Sequence, residues 1–430
     1  MVERRKPIAV AEAVEHVMNF AKEGALEWVR LEDSYGRFLA ENLTADHDVP
    51  PFDRSPYDGF AIRSEDTVHA NLENPVEFEI VGHIGAGAVF SGTIGPFQAV
   101  RIMTGAQIPS GSDAVVMLEI TQEREEDGQH YMSLKRVVKC GENLSLKGED
   151  VKEGETLVPK GTMINPGTMA LLATFGYAHV PVAKKPVIGV LATGTELLEV
   201  HEPLEPGKIR NSNAYMILSQ IVRSGAASKY IGKVTDDFEE SFASVEAAFQ
   251  EVDILITTGG VSVGDYDYLP AIYERLGANV LFNKVAMRPG SVTTVAELNG
   301  KLLFGLSGNP SACYVGFELF VRPVVRTFLF SSKPHLQMVE AELGADFPKP
   351  NPFARFVRSK LSYEGGNVFV APSGLDKSNV VSSLADANAL MVLPGGTRGY
   401  EKGMKVKALL LEDQLGCEWP WGENLSSSRS

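Results

Sequence analysis

The sequence predicts a mixed multidomain fold, in which a doubly wound α/β domain is joined to two β domains and a small α+β domain. A chain of 430 residues exceeds what one hydrophobic core usually organises, so about two to four domains are expected. Residues 184–328 alternate near-continuous apolar strands with amphipathic helices, the pattern of a parallel sheet covered on both faces. Short apolar runs separated by turns, before and after that region, are typical of compact β domains.

A discontinuous α+β linker domain is predicted from residues 1–45 together with residues 146–183. Apolar residues at helical spacing predict its first helix: Val10, Ala13, Val14, Val17 and Ala21. A second helix is predicted with Asn165 as its N-cap and Pro166 at its first position. The β domain of residues 46–145 is therefore interpreted as an insertion into the linker domain.

The two β domains share a pattern of short apolar runs between turns. In the inserted domain the runs are VEFEIVGHI, AVRIMTG and AVVMLEITQ, and glycine-rich segments separate them. Residues 335–415 show the same pattern in RFVRSKLSYEGGNVFVAP, ALMVLPGG and GMKVKALLLED, which predicts a small C-terminal β-barrel-like domain. The polar end of the chain, residues 416–430, is expected to be a frayed tail.

The charge and cysteine content exclude several classes of protein. Forty Lys and Arg against 55 Asp and Glu give a formal net charge of −15, which repels nucleic-acid phosphates and anionic membrane surfaces. The cysteines Cys140, Cys313 and Cys417 are too far apart to indicate a disulfide framework or a metal-ligand pair. Because no continuous apolar run reaches about 18 residues, the sequence predicts a cytoplasmic protein without a membrane span.

The loops after the strands of the α/β domain carry the candidate site, because ligands of such sheets bind at the carboxyl ends of the strands. These loops contain TGTE at 193–196, TDD at 235–237, TGGVSVGDYD at 258–267, NKVAMRPG at 283–290 and SGNPS at 307–311. Glycines, hydroxyls and helix starts expose backbone N–H groups to an anion, which indicates phosphate binding. A tight connection explains any one such loop equally well, but five at one sheet edge favour a site.

Charged residues in these loops predict a metal site and an anion site. Glu196, Asp236 and Asp267 are the carboxylates expected to hold Mg²⁺ beside a phosphate. Lys284 and Arg288 would offset charge on an anionic substrate. In the last loop, Asn309 as N-cap and Pro310 at the first helical position would leave the first-turn amides free for a phosphate.

Seven motifs occur in order along the chain: DVPPFDRSPYDGFAI, RIMTGAQIP, GENLSLKGED, LATGTEL, TTGGVSVGDYDY, NKVAMRPG and GLSGNPSA. This series resembles the molybdopterin molybdenumtransferase family, which includes MoeA and the gephyrin E domain. The resemblance covers roughly residues 7–412. It implies insertion of molybdenum from molybdate into adenylylated molybdopterin with Mg²⁺ and release of AMP, the last step of molybdenum cofactor synthesis. It also implies a MogA-like α/β domain and an elongated homodimer, with the site between the α/β domain of one subunit and the β domain of the other.

The resemblance carries roles onto matching positions of this sequence. By resemblance the catalytic positions are Asp58, Thr104, Asp150, Glu196, Asp236, Asp267, Lys284 and Arg288. By resemblance the positions that bind the pterin substrate are Thr193, Gly194, Gly259, Gly260, Ser262, Gly264, Pro289, Gly290, Ser307, Gly308, Asn309, Pro310, Ser311, Ser378 and either Arg355 or Arg358.

Three positions depart from the family pattern. Ser145 stands where the family often has Arg, which removes a cation from the GEN-to-GED segment. Arg288 stands where Lys is frequent, and it exchanges a point charge for a planar fork. Ser307 stands where Pro is usual, and the change is expected to relax the loop before Asn309.

Two other functions remain open from the sequence. A molybdopterin adenylyltransferase resembles residues 184–328 alone, and such an enzyme could instead be a partner that delivers the substrate. A non-catalytic pterin-binding scaffold is the other alternative. The acidic loops are complete, which argues against a scaffold.

Overall fold

The structure is a computed structural model that describes residues 6–235, 237–260, 268–350, 352–411 and 416–421. The chain folds into two compact units. The first unit comprises residues 1–41, 160–170 and 177–430, and the second comprises residues 42–159 and 171–176. Among the described residues, every helix is too short or too polar to cross a bilayer.

The helices follow one another along the chain with wide spacing in the first half and close spacing in the second. They are Val10–Met18 (α1), Pro166–Thr174 (α2), Ser212–Ser224 (α3), Phe238–Glu251 (α4), Leu269–Arg275 (α5), Pro310–Gly316 (α6) and Arg322–Phe328 (α7). A π-helical turn, Phe317–Val321, joins α6 to α7. Short 3₁₀ turns occur at Leu31–Asp33, Ser64–Thr67, Leu118–Ile120 and Ser382–Leu384.

The strands of the first half are Leu26–Arg30 (β1), Leu43–Thr44 (β2), Gly59–Ile62 (β3), Val76–Ile84 (β4), Gln98–Ile102 (β5), Ala114–Met117 (β6), Thr121–Glu126 (β7), Gln129–Leu134 (β8), Thr156–Val158 (β9) and His179–Ala183 (β10). Those of the second half are Val187–Thr193 (β11), Leu197–Leu198 (β12), Ile209–Arg210 (β13), Ala227–Val234 (β14), Ile254–Thr258 (β15), Asn279–Phe282 (β16), Met287–Arg288 (β17), Thr294–Leu298 (β18), Lys301–Leu306 (β19), Met338–Leu343 (β20), Ala354–Glu364 (β21), Asn367–Pro372 (β22), Ala389–Leu393 (β23) and Lys405–Leu410 (β24).

A six-stranded sheet with the order β14-β11-β15-β19-β18-β16 forms the centre of the first unit. Helix α3 packs on one face, where its Ile217 joins Ile188 and Val190 of β11 in a buried cluster. Helices α4 and α5 cover the other face, which Leu191 and Leu255 help to form. The predicted doubly wound α/β domain is confirmed.

The predicted set of parallel strands was wrong in one respect. Strand β18, which the sequence analysis missed, runs antiparallel to both β16 and β19. Asn299 and Gly300 connect β18 to β19, and both have positive φ (51° and 76°), as a two-residue hairpin turn requires. Since β16 and β19 both run antiparallel to β18, β16 runs in the same direction as the parallel strands β11, β14, β15 and β19. The loops after all five therefore leave the sheet at one edge.

The N-terminal helix packs onto the α/β domain. Val10, Val14 and Val17 of α1 are buried in the cluster that contains Phe320 of the π-helical turn. The segment after α1 joins the returning chain, because β1 pairs antiparallel with β10 over the full length of both strands.

The C-terminal strands close into a barrel in the order β21-β22-β20-β24-β23, and β23 pairs back to β21. Along β21 the side chains alternate: Val357 and Leu361 enter the barrel core, whereas Phe356 belongs to the cluster shared with the α/β domain. The predicted C-terminal β-barrel-like domain is confirmed.

The expectation of a frayed tail from residue 416 was wrong for its first six residues. Trp421 is 5% exposed and packs against Phe356, with ring centroids 6.2 Å apart. Cys417 and His335 form a β-bridge, and the ring of Trp419 packs edge-on against the His335 ring. Burial of large aromatic surface offsets the entropy of ordering this segment. Residues 422–430 lie outside the described residues.

His335 makes the stability of this region depend on pH. Burial, with a smaller contribution from Arg322, lowers the pKa of His335 to about 4 from its ordinary value of 6.5. Between these two pH values the unfolded chain binds a proton that the folded chain does not, so stability falls as pH falls. We expect this one group to cost about 3 kcal/mol between pH 6.5 and pH 4.

Urea unfolding at pH 7.5 and pH 4.5, followed by tryptophan fluorescence, measures this loss, because Trp419 contacts the His335 ring. The His335→Phe variant should lose less stability than the wild type over the same interval. Equal losses in the two proteins would contradict the assignment.

The second unit is built on a β-sheet with the order β6-β3-β5-β4-β8-β7. Strand β9 pairs with β2 and lies in this unit, so the unit extends beyond residues 46–145 at both ends. The unit is longer than predicted because the chain enters the β region through β2 and leaves it through β9, and these two short strands pair with each other. The division of the chain into four domains stays a prediction.

Candidate functional site

A pocket of about 730 Å³ opens in the first unit at the edge where the strands of the α/β domain end. Loops of the α/β domain form one wall, and strand β17, the start of strand β21 and a loop of the barrel contribute the other. The lining residues are Thr193, Gly194, Glu196, Ile209, Gly259, Gly260, Arg288, Pro289, Gly290, Ser291, Val292, Ser307, Gly308, Asn309, Ala312, Arg355, Asp376, Lys377 and Ser378.

The loop after β11 carries Glu196 into the pocket and is held by a small parallel ladder. Strands β12 and β13 pair, and Ile209 donates its N–H to the Glu196 carbonyl at 2.9 Å. The Glu196 carboxylate folds back over Gly194, because a Cβ at Gly194 would lie 2.4 Å from Oε2 of Glu196. Glycine at 194 therefore leaves room for the carboxylate.

Three glycine-containing loops approach one another through their backbones. Gly259 has φ +96°, and a Cβ there would lie 2.4 Å from the Thr193 carbonyl oxygen. A Cβ at Gly308 would lie 3.6 Å from Cα of Gly259. Glycine at 259 therefore lets the loops after β11 and β15 approach closely, and the loop after β19 lies in contact with Gly259, so the three loops form one backbone-lined wall.

Asn213, which the sequence analysis missed, joins two of these loops. Its amide nitrogen donates to the Gly308 carbonyl at 2.8 Å and to Thr258 Oγ1 at 3.1 Å, and the residue is 9% exposed. Because a carbonyl oxygen can only accept, this contact fixes the orientation of the amide. One feature of the sequence could have indicated Asn213: it is a second asparagine, two residues after the Asn211 N-cap, at a helical position that asparagine disfavours.

The opposite wall is cationic. Arg288 of β17 pairs in register with Arg355 of β21, so the two guanidinium groups belong to neighbouring strand positions. Asp376, a further residue that the sequence analysis missed, accepts a hydrogen bond from Nη1 of Arg355 at 2.6 Å. Lys377 and Ser378 extend this wall.

The structure distinguishes Arg355 from Arg358, which the sequence left as alternatives. Arg355 lines the pocket, whereas the Arg358 side chain is 1% exposed. Arg358 donates to the carbonyls of Leu375 (3.3 Å) and Lys377 (3.1 Å), and burial lowers its pKa below the ordinary value despite the adjacent Asp376 carboxylate. Arg358 therefore supports the barrel loop from behind.

Among the described residues of the α/β domain, three predicted site residues lie away from the pocket lining: Lys284, Pro310 and Ser311. The expectation that the first-turn amides of α6 are free was wrong for Ser311, which donates its N–H to the Ser378 carbonyl at 3.0 Å. The Ser311 hydroxyl donates to the Val380 carbonyl at 2.7 Å. Asn309 occupies the N-cap position without a side-chain cap hydrogen bond. The start of α6 thus binds the barrel loop through Ser311.

In the second unit the structure brings the three predicted motifs together. Asp58 Oδ1 accepts hydrogen bonds from the Thr104 N–H (2.7 Å) and hydroxyl (2.8 Å), which hold the pKa of Asp58 below its usual value. Arg54 and Ser145 exchange two backbone hydrogen bonds of 2.9 Å. The N–H of Asp150 donates to the Val49 carbonyl at 3.0 Å.

Four predicted site residues lie outside the described residues: Asp236, Ser262, Gly264 and Asp267. The predicted Mg²⁺ set therefore has only Glu196 within the described ranges. Those ranges contain no group of three or more His, Cys, Asp or Glu arranged to hold a metal ion.

Family models match three successive parts of the chain. They are described as the MoeA N-terminal region (domain I and II) at residues 8–176, a Probable molybdopterin binding domain at residues 189–327, and the MoeA C-terminal region (domain IV) at residues 340–411. The pocket loops of the α/β domain lie within the second of these matches.

Whole-chain relatives and a solved structure agree with these matches. The molybdopterin molybdenumtransferase of Bacillus subtilis (strain 168) is 62% identical over 429 residues, and the match covers 100% of both chains. A protein of the same name from Staphylococcus epidermidis is 51% identical, covering 96% of this chain and 97% of the relative. The crystal structure of a molybdopterin biosynthesis MoeA protein from Pyrococcus horikosii superposes with a TM-score of 0.83 at 29% identity, covering 94% of this chain and 99% of that one.

The seven ordered motifs, the three consecutive domain matches and the full-length identity all lead to one assignment. The chain belongs to the molybdopterin molybdenumtransferase (MoeA) family and is a transferase of molybdenum cofactor biosynthesis.

Proposed function

We propose that the chain transfers molybdenum from molybdate to adenylylated molybdopterin and releases AMP in a Mg²⁺-dependent reaction, acting as a cytoplasmic homodimer. The observation that carries this proposal is the pocket, in which a backbone-lined wall faces a cationic wall. Both substrates are anions: one carries a pyrophosphate and the other is an oxyanion. Backbone amides and guanidinium groups are the groups that bind such ligands best.

Each wall has a distinct role in this proposal. The loops at Gly194, Gly259 and Gly308 would lie against the phosphates, because they line the pocket and glycine leaves room there. The N–H groups of Gly194 and Gly259 themselves donate to the Val234 and Leu306 carbonyls. Arg288 would offset the negative charge that develops on the departing phosphate, whereas Arg355 would bind the phosphates of the substrate.

Glu196 is suited to help hold Mg²⁺. Its carboxylate lies in the pocket, and Mg²⁺ is usually bound by one or two carboxylates together with phosphate oxygens. Asp236 and Asp267 complete the set that the family resemblance implies. When bound, the cation would withdraw charge from the pyrophosphate oxygens. The contribution of the protein is to place one carboxylate next to the phosphate-binding loops.

The second unit is proposed to contribute Asp58, Thr104 and Asp150 to the reaction in the homodimer. The two hydrogen bonds from Thr104 keep the Asp58 carboxylate ionised and oriented. A molybdopterin adenylyltransferase is proposed as the partner that supplies the substrate.

The test is AMP release from adenylylated molybdopterin in the presence and absence of molybdate and Mg²⁺. We expect molybdate-dependent release by the wild type and a roughly 100-fold lower kcat/KM for Glu196→Gln, since several kcal/mol of charge stabilisation is lost. Glu205→Gln is the matched control, because Glu205 is exposed in the same connection and outside the described pocket lining.

The alternatives give different results in this assay. Tight binding of the adenylylated pterin without turnover would indicate a scaffold. AMP transfer from ATP onto free molybdopterin would indicate an adenylyltransferase. Either result, or full activity of Glu196→Gln, would contradict the proposal.

A further inference from the structure

Asp376 occupies an unusual position, because one buried carboxylate contacts three cations at the edge of the pocket. Its side chain is 5% exposed. Oδ2 accepts from Nη1 of Arg355 at 2.6 Å and from Nζ of Lys349 at 3.4 Å, and Oδ1 accepts from Nη1 of Arg358 at 3.3 Å. A single negative charge thus holds three positively charged side chains in one arrangement.

The loop that carries Asp376 is itself held in place. Arg358 donates to the carbonyls on both sides of Asp376, those of Leu375 and Lys377. Ser311 of the α/β domain donates to the carbonyls of Ser378 and Val380. These contacts do not involve a ligand, so the carboxylate is fixed before any anion enters the pocket.

The cation that Asp376 contacts most closely is the one at the pocket. Arg355 neighbours Arg288 across the β17–β21 pair, and two adjacent like charges repel each other. A flexible arginine would lower this repulsion by turning away from Arg288. The short hydrogen bond to Asp376 opposes that movement, because a charge-assisted hydrogen bond restricts the guanidinium to one orientation.

We propose that Asp376 is a positioning residue that holds the Arg355 guanidinium at the pocket wall and thereby sets the affinity of the pocket for its anionic substrate. This inference rests on the proposed function, in which the pocket binds a pyrophosphate-containing pterin. Asp376 acts through Arg355 and does not itself contact the substrate.

The sign of the effect separates positioning from simple electrostatics. Removing a carboxylate beside an anion site raises the local positive charge, and on charge alone Asp376→Asn would bind anions more tightly. If Asp376 instead positions Arg355, Asp376→Asn should bind anions more weakly than the wild type. We expect Asp376→Asn to raise both the Kd for inorganic pyrophosphate, measured by calorimetry, and the KM for adenylylated molybdopterin about tenfold, with kcat within about twofold.

A double-mutant cycle tests whether the effect passes through Arg355. Arg355→Met alone should weaken pyrophosphate binding about as much as Asp376→Asn, and the double variant should be little weaker than either single variant. Multiplicative losses in the double variant would overturn the proposal, as would unchanged or tighter binding by Asp376→Asn. Asp346→Asn is the matched control, because Asp346 is an exposed aspartate of the same barrel.

Two further measurements keep the outcome interpretable. If Asp376→Asn does not fold, Asp376→Glu replaces it: the longer side chain should weaken binding about threefold in the wild type and not at all in the Arg355→Met background. A wild type that binds pyrophosphate in an Asp376-dependent way but shows no molybdate-dependent AMP release would refute the proposed function and keep this inference. Normal turnover with an unchanged KM in Asp376→Asn would refute the inference about Asp376 and leave the proposed function intact. Absence of pyrophosphate binding by the wild type would also refute the inference about Asp376.

Discussion

Arg358→Met is expected to lower the free energy of unfolding by about 3 kcal/mol, because it removes one member of a buried, hydrogen-bonded charge cluster. The Arg358 side chain is 1% exposed and donates to Asp376, to the Ser383 hydroxyl and to two backbone carbonyls. Methionine fills part of the volume but makes none of these hydrogen bonds. The Leu375 and Lys377 carbonyls keep one backbone donor each, so the cost comes mainly from the lost charge-assisted hydrogen bond to the buried Asp376 carboxylate.

Arg355→Met is the comparison for this prediction. Arg355 lies three residues earlier on the same strand and shares Asp376, but it faces the pocket and its side chain is 11% exposed. We expect it to cost about 1 kcal/mol of stability and to act mainly on substrate binding. Urea unfolding of the two variants measures the difference. A larger stability loss for Arg355→Met than for Arg358→Met would show that their roles are reversed.

The position of the pocket could be predicted from the sequence because it depends on local pattern and on one topological rule. Thr193 is the last residue of one apolar strand, and Gly259 and Ser307 directly follow the ends of two others. Parallel strands present their carboxyl ends at one edge, so residues far apart in sequence are brought together there. Glu196 and Arg288 line the pocket for the same reason.

The support behind the pocket could not be predicted in this way. Asp376 lies 21, 18 and 27 residues from Arg355, Arg358 and Lys349. The β21–β22 hairpin, in which Ser359 pairs with Pro372, brings the segment after β22 back beside the start of β21. In the sequence Asp376 is one aspartate in a polar loop, a position typical of a solvated side chain. Asn213 was missed because its partners, Thr258 and Gly308, belong to two other loops.

The choice between Arg355 and Arg358 shows where periodicity stops being informative. Residues an odd number of positions apart on a strand point to opposite faces, so the pattern establishes that these two arginines differ. It does not establish which face meets the pocket, because that depends on how β21 pairs with β17. Strand β18 was missed for a different reason: its Asn-Gly turn is a strong hairpin signal that the search for alternating strands and helices overlooked.

Gly259→Ala is expected to lower kcat/KM roughly 100-fold, because it displaces a loop that forms the pocket wall by a distance comparable to one atom. A Cβ at this position would lie 2.4 Å from the Thr193 carbonyl oxygen and 2.8 Å from its hydroxyl. The first of these is a backbone atom at the end of β11 and cannot move without that strand. The φ of +96° adds strain, since residues with a side chain rarely adopt it.

Gly277→Ala separates the two causes. Gly277 follows α5 with φ +72°, and a Cβ there would meet no atom within 4 Å. It carries a similar backbone strain without the collision, so we expect a stability cost of about 1 kcal/mol and unchanged turnover. Steady-state AMP release and thermal unfolding of both variants measure the two effects. If Gly277→Ala lost as much activity as Gly259→Ala, general strain in the α/β domain would explain the loss, and the close backbone approach of Gly259 to Thr193 would have no separate role in catalysis.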